Sequence, residues 1–397
     1  TNGKTTTAKL IKTILEKNGN SALQNESGAN LLNGIASSLI MNSDMFSKIN
    51  YDYAIFEVDE NTLSLILKEI SPDYLILLNL FRDQLDRYGE VNTIVKKWAD
   101  AIQALSAKTN LILNADDPQI AHLGIYKSQG GVSVPPLRWK RIKNTVFYFG
   151  LDDRSLNRTS HQHAVDSTYC PNCNSKLSYN SIFYSHLGDW ECKNCKLKRP
   201  NLNLSDIKYH PISGTYNRYN TLAAALLAKQ IGIEPKNVNS ALHEFTPAFG
   251  RQEVLYINGK KVQIFLSKNP TSFNESLRTI TDFKAKNVLF VLNDRIPDGL
   301  DVSWIWDVDF EDYIDNFENI IVSGDRFYDM ALRIKYATQK SNVKTQNYNS
   351  KLKIYESLND AVKNALLTLP ENVTLYISPT YSAMLDVRRI LTGKKIL

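Results

Sequence analysis

The sequence has 397 residues, 43% hydrophobic and 22% charged, which is long for a single hydrophobic core, so two or more domains are expected. A formal net charge of +6, from 47 Lys and Arg against 41 Asp and Glu, suits anionic ligands such as nucleotides or phosphorylated lipid carriers. It lacks the clustering that argues for nucleic acid. No apolar run reaches the ~20 residues of a membrane span, which points away from an integral membrane protein; the longest run, Tyr74–Leu80, fits a buried strand.

Taken in chain order, Thr1-Asn2-Gly3-Lys4-Thr5-Thr6-Thr7 leads into an amphipathic helix predicted over Ala8–Lys17 and closed by Asn18-Gly19. Gly3-Lys4-Thr5 reads as the end of a phosphate loop: glycine lets backbone N–H groups approach the oxygens, lysine supplies charge, and the hydroxyl binds magnesium. The sequence opens inside this motif, so a preceding strand and first glycine are expected upstream. The plainer alternative is a glycine turn before a helix. Strands are predicted at Ala54–Val58, Tyr74–Leu78 and Leu111–Leu113, with helices around Asn61–Ile70 and Thr93–Leu105 between them. That alternation implies a parallel, doubly wound α/β sheet. From Val146 to Tyr209 the pattern breaks into short aromatic-rich strands, and helix resumes at Asn217–Ile231. The Pro/Gly-marked joint Thr246–Gly250 suggests a first domain over 1–246 and a second over 247–397. Strands near Val262–Leu266, Val288–Leu292, Ile320–Val322 and Thr374–Ile377 make the second domain α/β and Rossmann-like.

The only four cysteines form two C-x2-C pairs, Cys170/Cys173 and Cys192/Cys195, at zinc-ribbon spacing, with the inserted module spanning about 165–200. Four thiolates close a zinc shell and leave no open position, so the expected role is structural. His161, His163 and His186 are surplus as ligands, and Trp190, Tyr179 and Tyr184 are expected to cover the module's small core. Thiols kept free for metal imply a reducing compartment, the cytoplasm.

Further motifs follow in order: Phe56-Glu57-Val58 at a strand end, Asn79, Asp83-Gln84-Leu85-Asp86-Arg87-Tyr88-Gly89, Asn114-Ala115-Asp116-Asp117-Pro118, Gly214 to Ala225, Gly250-Arg251-Gln252-Glu253 and Lys268-Asn269-Pro270. Together with the phosphate loop these resemble the Mur ligase family, whose members form amide bonds with ATP. The resemblance implies that Asn2, Gly3, Lys4, Thr5 and Thr6 hold the phosphates and that Thr5 and Glu57 hold magnesium. It also implies that Asn220 contacts adenine and that Arg251 faces the γ-phosphate, with Lys268 nearby. Departures narrow it. Gln84 replaces a metal-binding histidine, Ala99 stands where a carbamylated lysine is expected with Lys96 and Lys97 out of register, and Phe265 replaces a ribose-binding aspartate. These departures, the four-cysteine ribbon and Asp298–Trp304 resemble the MurT branch of the family. That implies amidation of the D-glutamate α-carboxylate of lipid II at the inner membrane face, in a heterodimer with a GatD-like glutaminase.

The chemistry fits the residues. A carboxylate becomes a usable electrophile once phosphorylated, and an amine then attacks the acyl phosphate; the protein's part is positioning and charge neutralisation. Ammonia for such reactions is normally released from glutamine by a cysteine thiolate, yet every cysteine here is committed to the zinc pattern. Asp294, Asp298 and Asp301 follow a strand in a loop with Pro297 and Gly299. By resemblance, Asp301 completes the partner's catalytic triad or guides ammonia; the competing reading is a helix cap by Asp301 or Ser303. Three rival functions remain at this level: a ligase adding an amino acid, a zinc-ribbon ATPase acting on nucleic acid, and a scaffold with a relic nucleotide site.

Overall fold

The computed structural model describes residues 2–26, 28–81, 91–125, 143–158, 165–340 and 351–394. It resolves two compact units, one reaching Thr246 and the other starting at Pro247.

In the first unit, helix α1 (Lys4–Lys17) buries Leu10, Ile11, Ile14 and Leu15, the one stripe that a 3.6-residue period allows. It starts four residues earlier than its sequence pattern suggests, because Gly3 sits at φ 92 and its carbonyl accepts from Thr7 N. Strand β1 (Ala22–Gln24) pairs parallel with β2 (Tyr53–Ile55). Predicted to reach Val58, β2 stops at Ile55. Beyond it the Asn25 side chain takes the ladder's place, accepting from Glu57 N at 2.8 Å and donating to Glu57 O at 2.9 Å. Helices α2 (Leu32–Met41) and α3 (Leu63–Glu69) flank these strands in sequence. β3 (Tyr74–Leu77), β4 (Asn110–Asn114) and β5 (Val146–Phe149) form a second parallel ladder, joined through α4 (Val91–Ala104) and α5 (Pro118–Ile125). A cavity of about 820 Å³ lies between the two ladders, lined by Ile11, Leu15, Ile55, Ile66, Ile76 and Leu227 among others. The antiparallel hairpin β6 (Ser178–Tyr184) and β7 (Leu187–Glu191) is inserted before α6 (Thr215–Gln230) and α7 (Pro235–His243).

The second unit is a six-stranded sheet in the order β12-β11-β10-β13-β9-β8. Its members are β8 (Arg251–Ile257), β9 (Lys260–Phe265), β10 (Asn287–Val291), β11 (Asn319–Ser323), β12 (Leu352–Ile354) and β13 (Thr374–Pro379). All pair in parallel except the edge strand β8. Alternate residues of β10 part to opposite faces: Val288 and Phe290 enter one apolar cluster, Leu289 and Val291 the other. Both faces are therefore covered, by α8 (Pro270–Asp282) and α9 (Phe327–Lys340) on one side, and by α10 (Leu358–Thr368) and α11 (Tyr381–Thr392) on the other. A sheet buried on both faces reads as continuous apolar strands, which is why these were visible in the sequence. No described helix is long and apolar enough to cross a membrane.

Candidate nucleotide site and metal cluster

Gly3 takes the left-handed conformation at the mouth of α1, and a Cβ there would lie 2.0 Å from Asn220 Oδ1. Glycine is thus required twice, by its φ and by its neighbour. The first-turn N–H groups of α1 have no intrahelical acceptor and carry partial positive charge, the arrangement that receives phosphate. Asn79 holds the loop in register, accepting from Asn2 N at 2.8 Å and donating to Asn2 O at 2.9 Å. The Thr5 hydroxyl donates to Glu57 Oε1 at 3.0 Å, while Glu57 Oε2 is buried with no hydrogen-bond partner among the described residues. A hydroxyl beside a buried carboxylate with an oxygen to spare is a hard-oxygen donor pair that fits magnesium. Asn2, Gly3, Lys4, Thr5, Thr6, Glu57, Asn79 and Asn220 thus come together, with Asn220 against the glycine of the loop.

Sequence reasoning missed four members of this site, Glu60, Trp98, Asp59 and Asn25. Lys4 Nζ pairs with Glu60 Oε1 at 2.6 Å, and Trp98 of α4 donates to the Glu60 carbonyl at 2.8 Å. Asp59 is buried, and burial, then the neighbouring Glu60 carboxylate, raises its pKa. The signal was present in the acidic run Glu57-Val58-Asp59-Glu60 around a strand end. Asn25, which brackets Glu57, left no sequence signal. Gln84, within Asp83–Gly89, lies outside the described residues, as do His161 and His163. Ala99 is buried in α4, whereas Lys96 and Lys97 are exposed.

The four cysteine sulfurs converge to within 4.8 Å of one another. The pairs Cys170–Cys195 and Cys173–Cys192 stand 3.5 and 3.4 Å apart, close to the ~3.8 Å edge of a tetrahedron with ~2.3 Å Zn–S bonds. Each C-x2-C sits on a tight knuckle: Asn174 N donates to Cys170 O and Lys196 N to Cys192 O, with φ of 57° and 61° at Asn174 and Lys196. Burial pushes the Cys170 and Cys192 thiols up, and the facing sulfur adds to the rise. A soft dication among the four sulfurs reverses that penalty, so the donor set fits zinc. Trp190 is fully buried in this module, with Tyr179 packed beside it. Tyr184 instead joins the cluster of Phe81 and Tyr219. His186 is no ligand; its Nε2 faces Asp117 Oδ2 at 3.4 Å, both side chains fully buried.

The remaining candidates lie in the second unit. Arg251 opens β8 opposite Phe265 of β9, and Gln252 beside it sits at φ 61° where the register shifts. Glu253 braces this turn, accepting from Gly250 N at 3.1 Å and pairing with Arg388 at 2.8 Å. Lys268 lies three residues past Phe265, its N–H donating to Ser272 Oγ ahead of the Asn269–Ser272 capping box of α8. Phe265 itself is buried core. Asp301 is exposed and accepts from Ser303 N at 2.8 Å, starting a 3-10 turn over Ser303–Asp307. That bond, with help from the Ser303 hydroxyl, lowers its pKa.

Two family models match, the Mur ligase middle domain over residues 1–134 and the MurT ligase C-terminal over 266–384. The MurT subunit of the glutamine-hydrolyzing lipid II isoglutaminyl synthase of Staphylococcus aureus strain COL is 34% identical over 355 residues, covering 85% of this chain and 76% of that one. Its counterpart in Streptococcus pneumoniae is 32% identical over 421 aligned positions, covering all of this chain and 87% of that one. The chain belongs to the MurT family. Among solved structures, a pseudomurein peptide ligase type C from Methanothermus fervidus superposes with a TM-score of 0.67 at 21% identity, covering 99% of this chain and 77% of its own. The Acinetobacter baumannii ligase that adds D-alanyl-D-alanine gives 0.63 at 14%, covering 99% and 74%. At such identities these show a shared Mur ligase fold. Membership of the MurT family places the chain among ATP-dependent ligases of peptidoglycan synthesis, and the family implies ATP and magnesium.

Proposed function

We propose that this chain is the ATP-using subunit of a glutamine-dependent lipid II isoglutaminyl synthase. In the reaction, a carboxylate oxygen of the stem-peptide D-glutamate bonds to the γ-phosphorus of ATP and ADP leaves. Ammonia then attacks the acyl carbon and inorganic phosphate leaves, giving the D-isoglutamine amide. Lys4 and the N-terminal amides of α1 receive the phosphates, and Arg251, with Lys268, adds positive charge at the γ-phosphate. Thr5 and Glu57 hold magnesium, which neutralises phosphate charge when bound. Asn220 positions the nucleotide alongside Gly3.

The observation that carries this reading is the Thr5–Glu57 contact of 3.0 Å beneath a left-handed glycine at the start of a helix. The gathering of all four cysteines into one cluster supports a separate source of ammonia, because none of them is left as a thiol nucleophile. A GatD-like glutaminase in a heterodimer supplies it, with Asp301 serving the partner's histidine or the ammonia route. The four sulfurs hold a structural zinc. A lipid-linked substrate puts the reaction at the cytoplasmic face of the membrane. Mass spectrometry of lipid II incubated with ATP, magnesium and glutamine tests the proposal, with and without the co-purified glutaminase. Replacement of OH by NH2 in its presence is the expected result; unchanged lipid II with both subunits present refutes it.

A further inference from the structure

Within the first unit, the cysteine module and the phosphate loop are linked by a chain of largely buried hydrogen bonds, adjacent residues and one packing contact. On the module side, Trp190 of β7, packed against Cys170 and Cys192, donates from Nε1 to Ala115 O at 3.0 Å. Gly188 N donates to Asp116 O at 3.1 Å. His186, in the turn between β6 and β7, sits against Asp117, its ring packed 4.7 Å from Phe81. The Ala115-Asp116-Asp117 turn is therefore held from above by three consecutive features of the hairpin.

Two arms leave the other side of this turn. Asp117 Oδ1 caps α5, accepting from Gln119 N at 2.9 Å and Ile120 N at 3.3 Å. Its Oδ2 accepts from Leu80 N at 2.8 Å, and Leu80 follows Asn79, whose side chain grips both backbone atoms of Asn2. The second arm runs through Asp116, whose Oδ2 accepts from Tyr219 OH at 2.7 Å. The next residue of α6 is Asn220, which packs on Gly3. Asp116 is also held by Leu151 N at 2.9 Å and by Arg199 in a 2.7 Å ion pair; Arg199 lies four residues past Cys195 of the second knuckle.

We propose that Asp117 and His186 are positioning residues for the phosphate loop, and that metal at the four cysteines sets nucleotide affinity by holding the hairpin against the Asp116–Asp117 turn. The two-state element is the hairpin. A module this small, whose core is one tryptophan, a few apolar side chains and four sulfurs, gains its folding free energy from the metal. With the metal gone, His186, Gly188 and Trp190 leave the turn. Leu80 then loses its fixed acceptor, and the Asn79 grip on Asn2 loosens. Because binding linkage is reciprocal, nucleotide must tighten metal by the same factor that metal tightens nucleotide.

This rests on reading the phosphate loop as a nucleotide site, and the experiment separates the two claims. Binding of the non-hydrolysable ATP analogue AMPPNP with magnesium is measured calorimetrically on zinc-loaded protein and on protein stripped by chelator under strict reduction. Amide hydrogen exchange is followed on both. Stripping is expected to weaken the analogue about tenfold, within the usual range of coupling between sites, and to expose the Asn2 and Leu80 amides while β10 keeps its protection. In chelator competition the analogue raises zinc affinity by the same factor. His186→Phe keeps the ring against Phe81 and all four cysteines but removes the donor to Asp117. It is expected to retain zinc yet bind the analogue more weakly, with His186→Gln restoring affinity. Equal affinity of stripped and loaded protein overturns the coupling and leaves the proposed function standing. Exchange rising uniformly across the first unit overturns this route, as does wild-type behaviour of His186→Phe. Loaded protein that fails to bind the analogue overturns the nucleotide reading and this inference together.

Discussion

Gly3 carries two constraints in one residue. An alanine at φ 92 costs about 1–2 kcal/mol for left-handed backbone, and its methyl would meet the Asn220 carboxamide at 2.0 Å. Gly3→Ala is therefore expected to lower the melting temperature and to abolish measurable nucleotide binding in titration calorimetry, with zinc content unchanged. Asp116 makes a second argument at this scale. Burial raises its pKa to about 6 against the lowering influence of Arg199. An acid whose folded pKa lies above its unfolded value takes up its proton first in the folded state, so its contribution to stability rises as pH falls from about 6 toward 4. Arg199→Met removes the cation from a pair 9% and 0% exposed and is expected to cost about 3–5 kcal/mol near pH 8. Without the guanidinium the pKa climbs further, so the deficit shrinks as pH drops to about 5.5, where Asp116 is neutral. Urea titrations at the two pH values read the difference directly; an equal deficit at both would refute the assignment.

Elements were legible where a period repeats and illegible where a side chain stands in for backbone. The stripe Leu10, Ile11, Ile14, Leu15 and the apolar strands of the second sheet announced themselves, because burial on one helix face or both sheet faces leaves a pattern. The phosphate loop, Glu57 and the cysteine pairs were readable as short motifs whose chemistry needs neighbours in sequence. Asn25 was not, since it meets Glu57 from 32 residues away, and nothing local marks an asparagine that closes a strand. Nor was the Lys4–Glu60 pair, 56 residues apart. The end of β2 therefore depends on one amide side chain that also donates to Ala29 O at 2.8 Å. Asn25→Ala leaves Glu57 N and O buried without these partners, at about 1–3 kcal/mol each. The expected outcome is a lower melting temperature with a disproportionate loss of magnesium-dependent nucleotide binding, because the carboxylate beside Thr5 is no longer fixed. Equal losses of magnesium-dependent and magnesium-independent binding would show that Asn25 supports the fold alone.

At the scale of the whole molecule, the division of chemistry between this chain and a partner follows from what each can carry. This sequence gathers phosphate-binding and hard-oxygen donors in one unit, and all four of its thiols are drawn into one cluster of sulfurs. Carboxylate activation needs the former, whereas glutamine hydrolysis needs a thiol that is free. Asp301 sits on an exposed loop after β10, with one oxygen engaged by Ser303 N and its pKa lowered, so it stays ionised and able to orient an imidazolium. The loop is anchored from behind by Asp298, which is buried and accepts from Ser382 N at 2.8 Å and from the Ser382 hydroxyl at the start of α11. Asp301→Asn keeps the turn acceptor and removes the charge. In the assembled heterodimer it is expected to slow glutamine-driven amidation roughly a hundredfold or more, the scale on which triad carboxylates act. Amidation driven by added ammonium salt should proceed at the wild-type rate. A capping residue alone would leave both rates intact, and a residue of the ATP site would depress both, so the ratio of the two rates decides among the three roles.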